Sequence, residues 1–143
     1  MPVRVLLVED RPQGEKFIWA ALNKRWWGGV SLECKPSFSQ ALDSLKGESF
    51  DVMLVNLAVS DLQGPDGLAC VGRVAQELPV IVLVDEEEKH RLVTARGLGI
   101  RNWVTKDKLN SPCLADEVRN AVALQADGES IPQIWNTTKS VEI

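Results

Sequence analysis

The chain has 143 residues, 45% of them apolar and 25% charged, with a net charge of −4 at pH 7. That is long enough for one domain with its own core and too acidic for a nucleic-acid surface, which would be basic. No apolar run reaches the roughly 20 residues of a membrane span, and the single histidine, His90, leaves no material for most metal or triad sites.

Short apolar runs alternate with helical patterns along the chain. Val3–Val8 reads as a strand that opens a domain, not as a signal peptide, because its apolar run is short and ends in acids. Pro12 suits the first turn of a helix started by Asp10 or Arg11, and Phe17, Ile18, Ala21 and Leu22 recur at helical spacing before Gly28-Gly29. Val30–Cys34 alternates more weakly, as an edge strand does. Ser39 is the expected N-cap of a short helix with Ala41, Leu42 and Leu45, closed by Gly47.

Val52–Leu57 is a second continuous apolar run, followed by a polar loop from Ala58 to Gly67 and a helix over Leu68–Leu78. Pro79 precedes the strand Val80–Val84. Asp85 is placed to cap the next helix, with Glu86, Glu87 and Glu88 in its first turn, where negative charge suits the helix dipole. Gly97 and Gly99 end that helix, Asn102–Thr105 is a last short strand, and Ser111-Pro112 opens a helix with Leu114, Val118, Ala121, Val122 and Gln125 on one face. Strand and helix alternate five times, which predicts an α/β fold with a five-stranded parallel sheet and helices on both faces. Runs that are apolar throughout fit strands buried on both sides. The pattern stops near residue 126, so the expected organisation is one domain over 1–125 and a largely polar tail over 126–143 that carries the apolar cluster Ile131, Ile134 and Trp135.

In open parallel sheets function gathers at the carboxyl ends of the strands. Here those ends carry Glu9-Asp10, Asn56, Val84-Asp85 and Lys106. No Gly-rich phosphate loop comes after the first strand, so nucleotide binding has no support. The three cysteines, Cys34, Cys70 and Cys113, form no CxxC pair and read as reduced thiols of a cytoplasmic protein.

From about Val3 to Gln125 these strand ends resemble the receiver domain of two-component response regulators, a (βα)5 flavodoxin-like, doubly wound fold. Leu6–Asp10 is similar to that family's acidic strand end, and Phe50–Gly64 runs without gaps along its phosphoacceptor strand and loop. Asn56 falls on the acceptor aspartate. Leu78–Val84 is similar to the fourth strand, with Val84 at the usual Thr or Ser, and Asn102–Lys106 to the fifth, with Trp103 at the aromatic switch position and Lys106 at the usual lysine.

The resemblance implies a signalling protein, and its departures imply a pseudo-receiver. A neutral Asn oxygen is a poor nucleophile, and phosphoryl transfer depends on positioning and on metal and cationic stabilisation of the transferred group. Val84 keeps the shape of Thr without its hydroxyl, and Asp85 adds negative charge where phosphate would sit. Lys106 is expected to pair with Glu9 and Asp10 in the place of a metal. Those two acids are the only metal ligands left, so weak Mg²⁺ binding is the most that is expected and no other cofactor. A plainer reading makes Glu9-Asp10 an acidic helix start and Asn56 a satisfied polar cap.

The resemblance further implies no enzyme activity, no nucleic-acid or membrane contact, and protein partners. These are a histidine kinase, an output protein or a second copy, met through the face of the fourth helix, fifth strand and fifth helix. Two alternatives stand beside it: a working phosphorelay receiver that uses another acid, Asp61 or Asp66, and a flavodoxin-like small-molecule binder or hydrolase.

Overall fold

The computed structural model describes residues 3–24, 29–109 and 112–127. The elements run β1 (Val3–Val8), α1 (Pro12–Asn23), β2 (Val30–Lys35), α2 (Phe38–Gly47), β3 (Val52–Asn56), α3 (Pro65–Ala75), β4 (Val80–Val84), α4 (Arg91–Gly97), β5 (Asn102–Thr105) and α5 (Cys113–Asp127), with short 3-10 turns at Ser60–Leu62, Glu86–Glu88 and Lys106–Lys108. All strands pair in parallel in the order β2-β1-β3-β4-β5. This is the flavodoxin-like order, in which the chain reverses direction across the sheet between β1 and β3. The weakly patterned β2 lies at an edge, as its sequence predicts.

Strand side chains alternate between faces, and the two cores obey that alternation. Val3, Val5, Leu7, Val52, Leu54, Ile81, Leu83 and Val104 pack with Ile18 and Leu22 of α1 and with Leu114, Ala115, Val118 and Ala121 of α5. Leu6, Val8, Met53, Val55, Val80, Val82 and Val84 pack on the other face with Phe38 and Ala41 of α2, Leu68 and Val71 of α3, and Ala95 of α4. Each buried aliphatic contributes roughly 1.5–3 kcal/mol, so a one-residue slip in any strand would reverse both faces at large cost.

Strands β2 and β3 end at Lys35 and Asn56 rather than at Cys34 and Leu57, and the helix ends differ more. Helix α2 is capped by Ser37, whose hydroxyl accepts from the Gln40 amide at 3.2 Å, and not by Ser39. Capping from Ser37 turns Phe38 into the core, where it is buried. Helix α3 starts at Pro65, not Leu68, because proline needs no N–H donor at the first helical position, and it ends at Ala75. Asp85 caps the 3-10 turn Glu86–Glu88, accepting from the Glu88 amide at 3.1 Å, and α4 begins only at Arg91. Helix α1 ends at Asn23, well before the glycine pair. The Trp26-Trp27 pair and the Ile131–Trp135 segment lie outside the described residues.

Candidate functional site

Following the alternation to the last residue of β3 and one step past β1, β4 and β5 predicts where each strand-end side chain goes. Glu9 comes after Leu7, Asn56 after Leu54, Asp85 after Leu83 and Lys106 after Val104, all on the α1–α5 side. Glu9 and Asn56 also flank the reversal point between β1 and β3, where open α/β sheets form their crevice.

Asn56 is 1% exposed and Glu9 5%, the only buried polar residues among those described. The Asn56 amide nitrogen donates to Glu9 Oε2 at 2.5 Å. The Asn56 oxygen accepts the backbone N–H of Ala58 at 3.0 Å. Glu9 Oε1 accepts the backbone N–H of Arg11 at 3.2 Å, and the Arg11 guanidinium stands at 3.5 Å. A buried carboxylate is costly unless it is paired or hydrogen-bonded, and here each oxygen has a donor. Gly14 completes the arrangement: a Cβ there would lie 2.7 Å from Glu9 Cδ, so α1 leaves room for the glutamate side chain only because residue 14 has none. The sequence carries this signal only as a glycine inside a helical pattern.

Lys106 does not pair with Glu9 and Asp10. Its ammonium lies 3.6 Å from Asp85 Oδ2. The physical reason is that Glu9 is already satisfied by Asn56 and Arg11, whereas Asp85 stands across the neighbouring β4–β5 strand ends. Asp10 is exposed. An open cleft of about 300 Å³ is lined by Lys106 and four carboxylates, those of Asp85, Glu86, Glu87 and Asp107. One ammonium among four acids is a poor receptor for a phosphoryl anion.

The donor set also does not suit Mg²⁺, which binds through one or two carboxylates with several waters. Glu9 faces an N–H donor where a second anionic oxygen would be needed, and the Asn56 oxygen is turned to Ala58. Among the described residues no cluster of three or more His, Cys, Asp or Glu is placed to hold a metal. Of the two acids read as a weak Mg²⁺ site, Glu9 has both oxygens in hydrogen bonds inside the protein, and the exposed Asp10 stands outside those bonds.

Val84 and Trp103 lie on the other face. Val84 is fully buried in the α2–α4 core, and the half-buried Trp103 packs against the same cluster. Asp61, an alternative acceptor from the sequence, points away from the pocket. Its two oxygens accept the backbone N–H groups of Phe38 (3.1 Å) and Ser39 (3.0 Å), so it caps α2 from the β3–α3 loop. Near the end of β2, the Cys34 thiol donates to the Glu9 carbonyl at 3.5 Å. Burial first, then the charges of Glu15 and Glu9, push its pKa up to about 12.

Among known proteins, the model of the response regulator receiver domain matches residues 5–119. No curated protein sequence matches the chain. Three solved structures illustrate the likeness in fold. A sensor protein from Polaromonas sp. JS666 is 22% identical with a TM-score of 0.69, over 85% of this chain and 96% of that one. A response regulator from Thermotoga maritima is 20% identical with a TM-score of 0.68, over 87% and 100%. A CheY-like receiver domain protein from Methanospirillum hungatei JF-1 is 16% identical with a TM-score of 0.72, over 90% and 100%.

Proposed function

The chain belongs to the response regulator receiver family, and we propose that within it this protein is a pseudo-receiver, signalling through protein contacts without aspartyl phosphorylation. Receiver domains are in general non-enzymatic signalling modules that meet kinases and output domains of two-component systems. The observation that carries the finer reading is the bond from the Asn56 amide to Glu9 Oε2. It fills the phosphoacceptor-equivalent position with a neutral donor and takes up the carboxylate that would otherwise serve a cation. Val84 adds a buried methyl where the family's switch hydroxyl would be, and Asp85 holds Lys106. The receiver-like unit, read from the sequence as residues 1–125, runs on to the end of α5 at Asp127. A partner, whether a histidine kinase, an output protein or a second copy, reads the face of α4, β5 and α5 in a fixed state that includes Trp103.

The two alternatives have less behind them. Asp61 is committed to capping α2, and Asp66 is exposed in the first turn of α3. A hydrolase would need a nucleophile beside a base, and His90 is exposed ahead of α4, away from any strand-end Ser or Cys.

The test is intact-mass measurement after acetyl phosphate with Mg²⁺, together with amide shifts on adding beryllium fluoride. We expect no adduct, and no shifts centred on Asn56 and Val84. A stoichiometric aspartyl phosphate would overturn the reading.

A further inference from the structure

The β3–α3 loop, residues 57–64, runs from the end of β3 across the α2–α4 face. Four features fix it. Leu57, Val59 and Leu62 are fully buried in that core. Gln63 donates its side-chain amide to the carbonyls of Leu57 at 3.0 Å and Val59 at 3.2 Å. Asp61 holds the loop to α2. Gly67 lets α3 lie directly on the loop backbone, since a Cβ there would meet Leu62 Cα at 2.7 Å. The fourth helix is joined to the loop in a different way. Arg91, its first residue, buries its side chain to 10% exposure. Its Nη1 donates to the Leu57 carbonyl and to Glu88 Oε2, each at 3.0 Å, and its Nη2 donates to the Leu62 carbonyl.

We propose that Arg91 is a built-in latch that holds the β3–α3 loop and the start of α4 as one body. A guanidinium suits this role because it is a flat, permanently charged fork of five N–H donors. It spans both ends of the Leu57–Leu62 segment and is itself held by Glu88, only 16% exposed. The latch fixes the geometry between the end of β3 and the β4–α4 connection without any ligand. That it replaces a phosphate-driven movement rests on the pseudo-receiver reading. That it holds the two segments together does not.

The experiment is residue-resolved amide hydrogen exchange on the full chain, untreated with any phosphodonor, compared with Arg91→Ala and Arg91→Lys. Loss of a charged donor from buried carbonyls should speed exchange about tenfold or more at Leu57, Val59, Leu62 and through α4, while β1 and the middle of β3 keep their rates. Arg91→Lys, a point charge unable to fork between two carbonyls, should fall between. If Arg91→Ala does not fold, the lysine variant decides alone. A selective rise at the loop and α4 supports the latch. A uniform rise across all strands, or no change, overturns it and leaves the Asn56 reading untouched. Conversely, an aspartyl phosphate on the natural chain would overturn that reading and leave the latch in place.

Discussion

The two faces of the sheet end in different ways. On the α1–α5 side, strand-end polar groups satisfy one another in pairs: Asn56 with Glu9, Lys106 with Asp85. On the α2–α4 side the three central strands end in apolar side chains, Val8 of β1, Val55 of β3 and Val84 of β4. The polar contacts there come inward from loops and helix starts, with Arg91 reaching Leu57 and Leu62 and Asp61 reaching Phe38 and Ser39. The first side is a set of local choices, in which exchanging one atom of Asn56 alters the chemistry. The second is a set of ties from side chains to backbone groups of loops and helix starts, which no single exchange at a strand end would reset.

The largest expected effect is on the second side. Arg91→Ala leaves two carbonyls without their donor and the Glu88 carboxylate without its cation, so urea denaturation should register a loss of about 3 kcal/mol. A loss under about 1 kcal/mol would erase the contrast between the faces. Asn56→Asp comes next. It replaces a 2.5 Å donor contact with a carboxylate facing Glu9, at a cost of about 2 kcal/mol in metal-free buffer. Thermal unfolding should then show Mg²⁺ recovering part of the loss. This single change should restore Mg²⁺ affinity better than switching, because Val84 still lacks a hydroxyl and Arg91 still holds α4. Beryllium fluoride shifts that reach α4 in the single variant would show that the two sides are coupled after all.

Gly14→Ala should cost about 1 kcal/mol by crowding Glu9. The penalty should vanish in a Glu9→Ala background, which removes Cγ as well as the carboxylate, a double-mutant cycle that sharpens the local character of the first side. The smallest effect is chemical. Thiolate is the reacting form, so Cys34, with its pKa pushed up to about 12, should alkylate far more slowly at pH 8 than the exposed Cys113. The folded Cys34 thiol ionises less readily than the unfolded one. Its contribution to stability is therefore intact below the ordinary thiol value of 9.0 and is lost as pH rises from there toward 12. Equal labelling rates for the two cysteines would show that burial does not hold the Cys34 thiol un-ionised.

Periodicity made the frame of the molecule legible in its sequence. Apolar runs such as Val52–Val55 and Val80–Val84 mark the central strands, and the strand ends bring Glu9, Asn56, Asp85 and Lys106 to one end of the sheet. Contacts between distant segments leave no such mark. The expected pairing of Lys106 with Glu9 and Asp10 fails because the competition for Glu9 is decided by Arg11 and Asn56 in three dimensions. Asp61 looks like a loop acid, since nothing near it in sequence marks the Phe38 and Ser39 amides as its targets. Arg91 looks like an ordinary helix residue for the same reason. The α2 cap falls two residues from its expected place because Ser37 and Ser39 are equally good caps locally, and only the burial of Phe38 chooses between them.

The Asp61 contact with α2 has a spectroscopic consequence. The amide protons of Phe38 and Ser39 donate to a carboxylate that belongs to a loop 22 and 23 residues further along the chain. Hydrogen bonds to a charged acceptor are stronger than those to a neutral one, and an amide proton in one resonates downfield. Two resonances on α2 therefore report on the position of the β3–α3 loop without a label or a ligand, and a partner that lifts the loop would announce itself there by an upfield move of both signals.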